Sequence, residues 1–130
     1  MRTIILGCVV LAQLLTTGSG AAGQTRATGH VMREKLTHSQ RVLEAIMVSD
    51  YALLERESEA LLRATEAPGW AVLNSLEYLR QSDAFVRATR DLIEAAKQRD
   101  SDAAAMRYVS MTLSCYQCHR YLKNARIASP

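Results

Sequence analysis

From Thr28 onward the apolar side chains recur at steps of three and four, in four separate runs. The first run sets Met32, Leu36, Ser39, Leu43 and Ile46 on one side of a helix expected over residues 28–48. A second, over residues 51–65, turns Leu54, Ser58, Leu61 and Leu62 to one side. The third seam is Tyr78, Ser82, Phe85, Thr89, Leu92 and Ala96, ending near Gln98. The fourth runs through Ala104, Tyr108, Met111, Cys115, Cys118 and Leu122. Residues 24–130 contain almost no alternation of the kind a strand needs.

The punctuation agrees with this division. Asp50 can cap the second helix, and Pro68-Gly69 stops it. Asn74 followed by Glu77 has capping-box spacing for the third. Asp100-Ser101-Asp102 caps the fourth, placing acids where the helix dipole favours them. Four amphipathic helices on short connections are expected to form an all-α, antiparallel four-helix bundle. Ser39, Ser58, Ser82, Thr89, Ala96 and Ala104 are small for such seams. Either the helices approach closely there, or something flat and apolar fills the space.

The start of the chain breaks the pattern. Residues 1–23 carry one charge, Arg2, then an apolar run from Ile4 to Leu15, then TTGSGAAG. That is the layout of a secretory signal peptide with cleavage near Ala22 or Gly23. The run is too short to span a bilayer, which takes roughly 20 residues. Residues 24–130 then form the expected mature domain, exported to the periplasm and without stable membrane insertion. Export also edits the composition. Cys8 leaves with the signal, so only Cys115 and Cys118 remain of three cysteines. The net charge of +3 loses Arg2 and becomes +2, too weak for nucleic-acid binding.

The mature chain's one cysteine pair lies in Cys-Tyr-Gln-Cys-His, residues 115–119, on the fourth helix. Residues three and four apart share a helix face, so Cys115, Cys118 and His119 point the same way. Two thiols so placed can add across the two vinyl groups of one haem, and the histidine can then ligate the iron. A thioredoxin-like pair would follow a strand and open a helix, and no strand is expected here. A structural zinc site needs about four ligands. Only His30 and His38 could complete one, and both are far away in sequence. The expectation is one covalent haem c, with its iron, held in the bundle near the C-terminal helix. No catalytic acid, base or nucleophile stands out, so an enzyme is not expected.

An exported four-helix bundle with CxxCH near the end of its last helix resembles the class II c-type cytochromes, the cytochrome c-prime family. The resemblance covers roughly residues 29–123. It implies that His119 is the proximal iron ligand. Lys123 matches a basic residue that often stands four positions after that histidine, whereas Leu122 replaces the usual aromatic.

Within the family, a methionine on the first helix fills the sixth iron position in low-spin members, which transfer electrons. Met32 lies close to that place, and Leu36, one turn on, is the apolar alternative if Met32 is displaced. The resemblance therefore implies one-electron transfer with a redox partner protein, and leaves room for a homodimer. The alternative is a five-coordinate haem protein that binds NO or CO. A haem-free helical protein with a redox cysteine pair is a third option. His30 is a lesser ligand candidate, and His38 is expected in solvent. Met111 is expected to pack on the haem, with Met47 and Met106 as ordinary packing and Trp70 over one end of the core. One of Tyr108, Tyr116 and Tyr121 could contact the haem. Arg107, Arg120 and Lys123 could steer an acidic partner.

Overall fold

The computed structural model describes residues 19–125, the side chains of 19–21 aside. Most of the expected signal segment, Cys8 included, lies outside the described residues. Four helices follow one another: α1 (Ser19–Met47), α2 (Tyr51–Ala64), α3 (Leu76–Gln98) and α4 (Ser101–Asn124). There is no strand among the described residues. Each helix packs against the next, and α4 returns to α1, which closes an all-α four-helix bundle. The α1–α4 side is much the weakest of the four pairings.

Local chemistry sets the boundaries. The Asp50 carboxylate accepts from the Leu53 amide at 2.9 Å and starts α2. Asp100 does the same for Ala103 at 2.9 Å and starts α4. The α3 cap is Ser75, whose hydroxyl accepts from the Tyr78 amide, one residue later than Asn74 would have placed it. α1 begins nine residues before the expected start, because Ser19 to Ala27 contains no proline or β-branched run to stop it. Ser49 and Arg99, both with left-handed backbone, turn the chain between α1 and α2 and between α3 and α4.

Three seams pack as expected. Leu54, Ser58 and Leu61 are buried on α2; Phe85, Thr89, Leu92 and Ala96 on α3; Ala104 and Met111 on α4. The α1 seam is rotated. Its buried side is Val31, Lys35, Val42, Ala45 and Ile46, whereas Leu36 is 60% exposed and Leu43 is 41% exposed. Apolar residues occupy two neighbouring faces of α1, and a lysine occupies the inner one, so residue type alone selects the wrong face.

Small seam residues mostly reflect close approach. Ser58, Thr89, Ala96 and Ala104 are buried, and the Thr89 hydroxyl returns to the Phe85 carbonyl at 2.9 Å. Ser82 accepts the Trp70 indole N–H at 2.6 Å. Only Ser39 borders open space. None of the described helices is long and apolar enough to cross a membrane.

Candidate functional site

The weak α1–α4 pairing leaves an open cleft of about 370 Å³ between the two helices, inside the usual ligand-cleft range of ~300–1,000 Å³. From α1 it is lined by Met32, Lys35, Leu36, Ser39 and Gln40. From α4 it is lined by Tyr108, Thr112, Cys115 and His119. Met32, Leu36 and Ser39 of the expected α1 seam therefore line this cleft, whereas Ile46 is buried in the core. Met32 packs in part against the core, and Leu36 is left exposed.

α4 presents Cys115 and His119 of the CYQCH segment to the cleft, Cys118 lying outside its lining, and the same seam is anchored further up the helix. Ala104 and Met111 are buried in the bundle core, and the Asp100 cap fixes the first turn. Cys115 and Cys118 are half-buried free thiols, and Cys115 packs against the core cluster. His119 borders two spaces at once. One is the cleft, and the other is a surface depression lined also by Tyr116, Arg120 and Lys123. Its imidazole therefore stands between the cleft and solvent.

Lys35 is the residue that sequence reasoning missed. Only 8% exposed, it holds its ammonium 3.8 Å from the centre of the Phe85 ring and 4.6 Å from the Trp70 ring. Cys115 is a neighbour on α4, and the Lys35 charge bears on Cys118 and His119 as well. The signal was the 31–35–42–46 spacing, a helical stripe that includes this lysine. The aromatic platform is itself fixed. The Trp70 and Phe85 rings tilt together with centroids 5.3 Å apart, and the Tyr78 hydroxyl donates to the Trp70 carbonyl. Gly69 lies against the α1 backbone at Ala27 and Thr28, so a Cβ there would overlap it. Trp70, in the connection between α2 and α3, thus belongs to the buried core.

Protonation follows from this burial. Burial pushes the Lys35 ammonium below its ordinary range, with the two cysteine sulfurs pulling the other way. Burial, and then the Lys35 charge, lowers the His119 imidazole. Burial raises the Cys118 thiol, and the Lys35 charge opposes that. The neutral imidazole is the form that ligates metal.

Other candidates fall elsewhere. His38, expected in solvent, bonds the buried Glu57 carboxylate at 2.7 Å across α1 and α2. Arg41 and Arg56 face the same carboxylate. His30 pairs with Glu34 on the exposed side of α1. Met47 and Met106 are 69% and 68% exposed, so neither is core packing. Met111 is buried in the bundle core and is not part of the cleft lining. Of the three tyrosines on α4, Tyr108 lines the cleft, Tyr116 is exposed, and Tyr121 bonds the Ser75 hydroxyl at 2.9 Å. Arg107 pairs with Asp91 across α3 and α4.

The residues present fit a covalent haem: two free thiols one helical turn apart, an adjacent imidazole, and a largely apolar cleft that Cys115 and His119 both border. Comparison of the chain with protein-family models, with curated proteins and with solved structures finds no match in any of the three.

Proposed function

We propose that this protein is an exported, periplasmic c-type cytochrome that carries one electron at a time on a single covalent haem. The observation that supports it most is the convergence of Cys115 and His119 on one largely apolar cleft between α1 and α4. Haem c, when bound, supplies the reversible one-electron chemistry.

The chain's own residues supply the rest. Cys115 and Cys118 anchor the group through thioether bonds, which fixes its orientation against α4. His119 holds the iron through a neutral imidazole. Met32, half-buried on the α1 wall, is the sixth-ligand candidate that the class II resemblance offers. Arg120 and Lys123 flank His119 on the solvent side, where they would steer an acidic redox partner toward the electron's exit.

The openness of the cleft beside Leu36 supports a second reading, a five-coordinate haem that binds NO or CO at its free position. Haem staining of the purified protein on a denaturing gel tests the cytochrome reading. A stained band that disappears in Cys115→Ser/Cys118→Ser is expected, and an unstained band would leave a haem-free helical protein with a cysteine pair. Adding CO to the reduced protein separates the first two, since an immediate spectral shift belongs to the gas-binding reading.

A further inference from the structure

α4 is apolar on two opposite sides. Ala104 and Met111 face the core, while Met106, Val109, Leu113 and Tyr116 point away from it, each more than half exposed. A helix that packs on one side needs one apolar face, so the bundle does not account for the second. The haem reading does not use it either, because Cys115 packs on the core side and Cys118 shares its face.

The outer face has a regular spacing. Asp102, Met106, Val109, Leu113, Tyr116 and Arg120 follow at steps of four, three, four, three and four. That is the heptad seam by which two helices coil around each other. From Asp102 to Arg120 it runs about 27 Å, at about 1.5 Å per residue.

Its order is also symmetric. Positions 102 and 120, 106 and 116, and 109 and 113 stand equally far either side of Met111. A two-fold axis at the middle of the helix therefore sets Val109 against Leu113, Met106 against Tyr116 and Asp102 against Arg120. A closed dimer of identical chains requires this self-complementarity, in which residue i meets j and j meets i. Apolar side chains meet in the inner layers, and opposite charges meet at both ends. Parallel packing would oppose Asp102 to Asp102 and Arg120 to Arg120, so the charges select the antiparallel arrangement.

The surroundings allow the approach. Among the described residues, no ion pair involves Asp102 or Arg120. The Arg120 guanidinium lies 5.6 Å from the centre of the Tyr116 ring, along the stripe. Beside the seam, the Ser110 and Thr112 hydroxyls donate to carbonyls of their own helix. Ala105 and Gln117 carry no charge, so these positions bring no like charges together.

We infer that two copies of this protein pair antiparallel through the outer faces of α4, with Val109 and Leu113 at the centre and an Asp102–Arg120 ion pair at either end. None of the six stripe residues lines the cleft, so the pairing does not rest on the haem reading. Lys123, outside the stripe, stays beside His119 for a redox partner.

Sedimentation of the purified mature protein over a range of concentrations reads the association. A reversible monomer–dimer equilibrium is expected. Leu113→Lys sets a charge against the partner's Val109 and is expected to weaken dimerisation about tenfold or more. Its side chain points to solvent, so the helical circular dichroism should not change. Asp102→Arg and Arg120→Asp each oppose like charges at both ends, and each is expected to weaken the dimer. The two single variants mixed together, or combined in one chain, are expected to pair again. Should Asp102→Arg fail to fold, Arg120→Asp and Leu113→Lys carry the comparison. A protein that stays monomeric, leaving the stripe to a different protein or a lipid surface, overturns the inference. So does a dimer that Leu113→Lys and the single charge reversals leave intact, or one that the combined reversal fails to restore.

Discussion

The Lys35 ammonium stands 3.8 Å from the centre of the Phe85 ring, in the interior of a bundle that gives it no carboxylate. Most buried lysines are paired. Here α1 spends a buried position on a charge that α3 meets with an aromatic face. That burial carries a desolvation cost that the two ring faces offset only in part.

Stability measurements on the haem-free protein check this directly. Desolvating an ammonium costs several kcal/mol, and a cation–π contact returns about 0.5–2 kcal/mol. Lys35→Met is therefore expected to stabilise the haem-free chain by about 1 kcal/mol or more in a urea melt. The sign can be confirmed with pH. A depressed amine pKa means the unfolded chain binds the proton more tightly, so this lysine's contribution grows as pH rises through the alkaline range. Lys35→Met should lack that rise. Equal or lower stability in the mutant would show that the ammonium is structural.

Glu57 predicts the opposite end of the scale. Burial pushes its carboxyl up, but the His38 hydrogen bond and the charges of Arg41, His38 and Arg56 outweigh it, and the net shift is downward. The folded state thus holds this proton less tightly than the unfolded state. Its stabilising effect is full at neutral pH and is lost as pH falls through the acidic carboxylate range. Glu57→Gln should melt earlier at pH 7 and converge toward the parent protein in acid. Parallel pH–stability curves for the two would refute the linkage.

Ser58 is buried on α2, and its hydroxyl has no partner among the described residues. An unsatisfied buried hydroxyl costs about 1–3 kcal/mol. Ser58→Ala removes the hydroxyl without adding volume, and it should raise the melting temperature by several degrees. A fall would mean that a water or backbone group serves the hydroxyl in solution.

Gly69 ties the connection carrying Trp70 to the α1 backbone at Ala27 and Thr28. Gly69→Ala forces that contact apart, at a cost of about 1–3 kcal/mol for an overpacked site. The chain's one tryptophan reports on it. A red-shifted Trp70 emission together with a lower melting temperature is expected, and an unshifted emission would place the strain elsewhere.

Ser49 turns the chain between α1 and α2 with φ 55°, a conformation that glycine adopts without a Cβ penalty. Ser49→Gly should be neutral or stabilising by up to about 1 kcal/mol, the penalty being offset in part by added freedom in the unfolded chain. Chemical denaturation measures it, and a clear loss would show that the Ser49 side chain has a role of its own.

Much of the bundle was legible because its signals are local. Asp50 and Asp100 cap the helices they were expected to cap, since a cap depends on residues within one turn. The seams of α2, α3 and α4 were legible because each of those helices has one apolar face. On α1 the apolar side chains spread over two faces, and sequence cannot say which face meets the bundle and which the cleft. Leu36 and Leu43 were therefore read on the inward seam, and Lys35 was not singled out.

By itself the sequence determined the number of helices, most of their caps, and the common face of Cys115, Cys118 and His119, all consequences of 3.6-residue periodicity and short-range hydrogen bonding. Tertiary structure alone decided where that face looks. The rotation of α1 about its axis, the burial of Lys35 on Phe85 and Trp70, and the pairing of His38 with Glu57 depend on contacts between residues 19 to 50 positions apart. Such contacts form only where the packing of whole helices brings them together, and no local pattern in the chain encodes them.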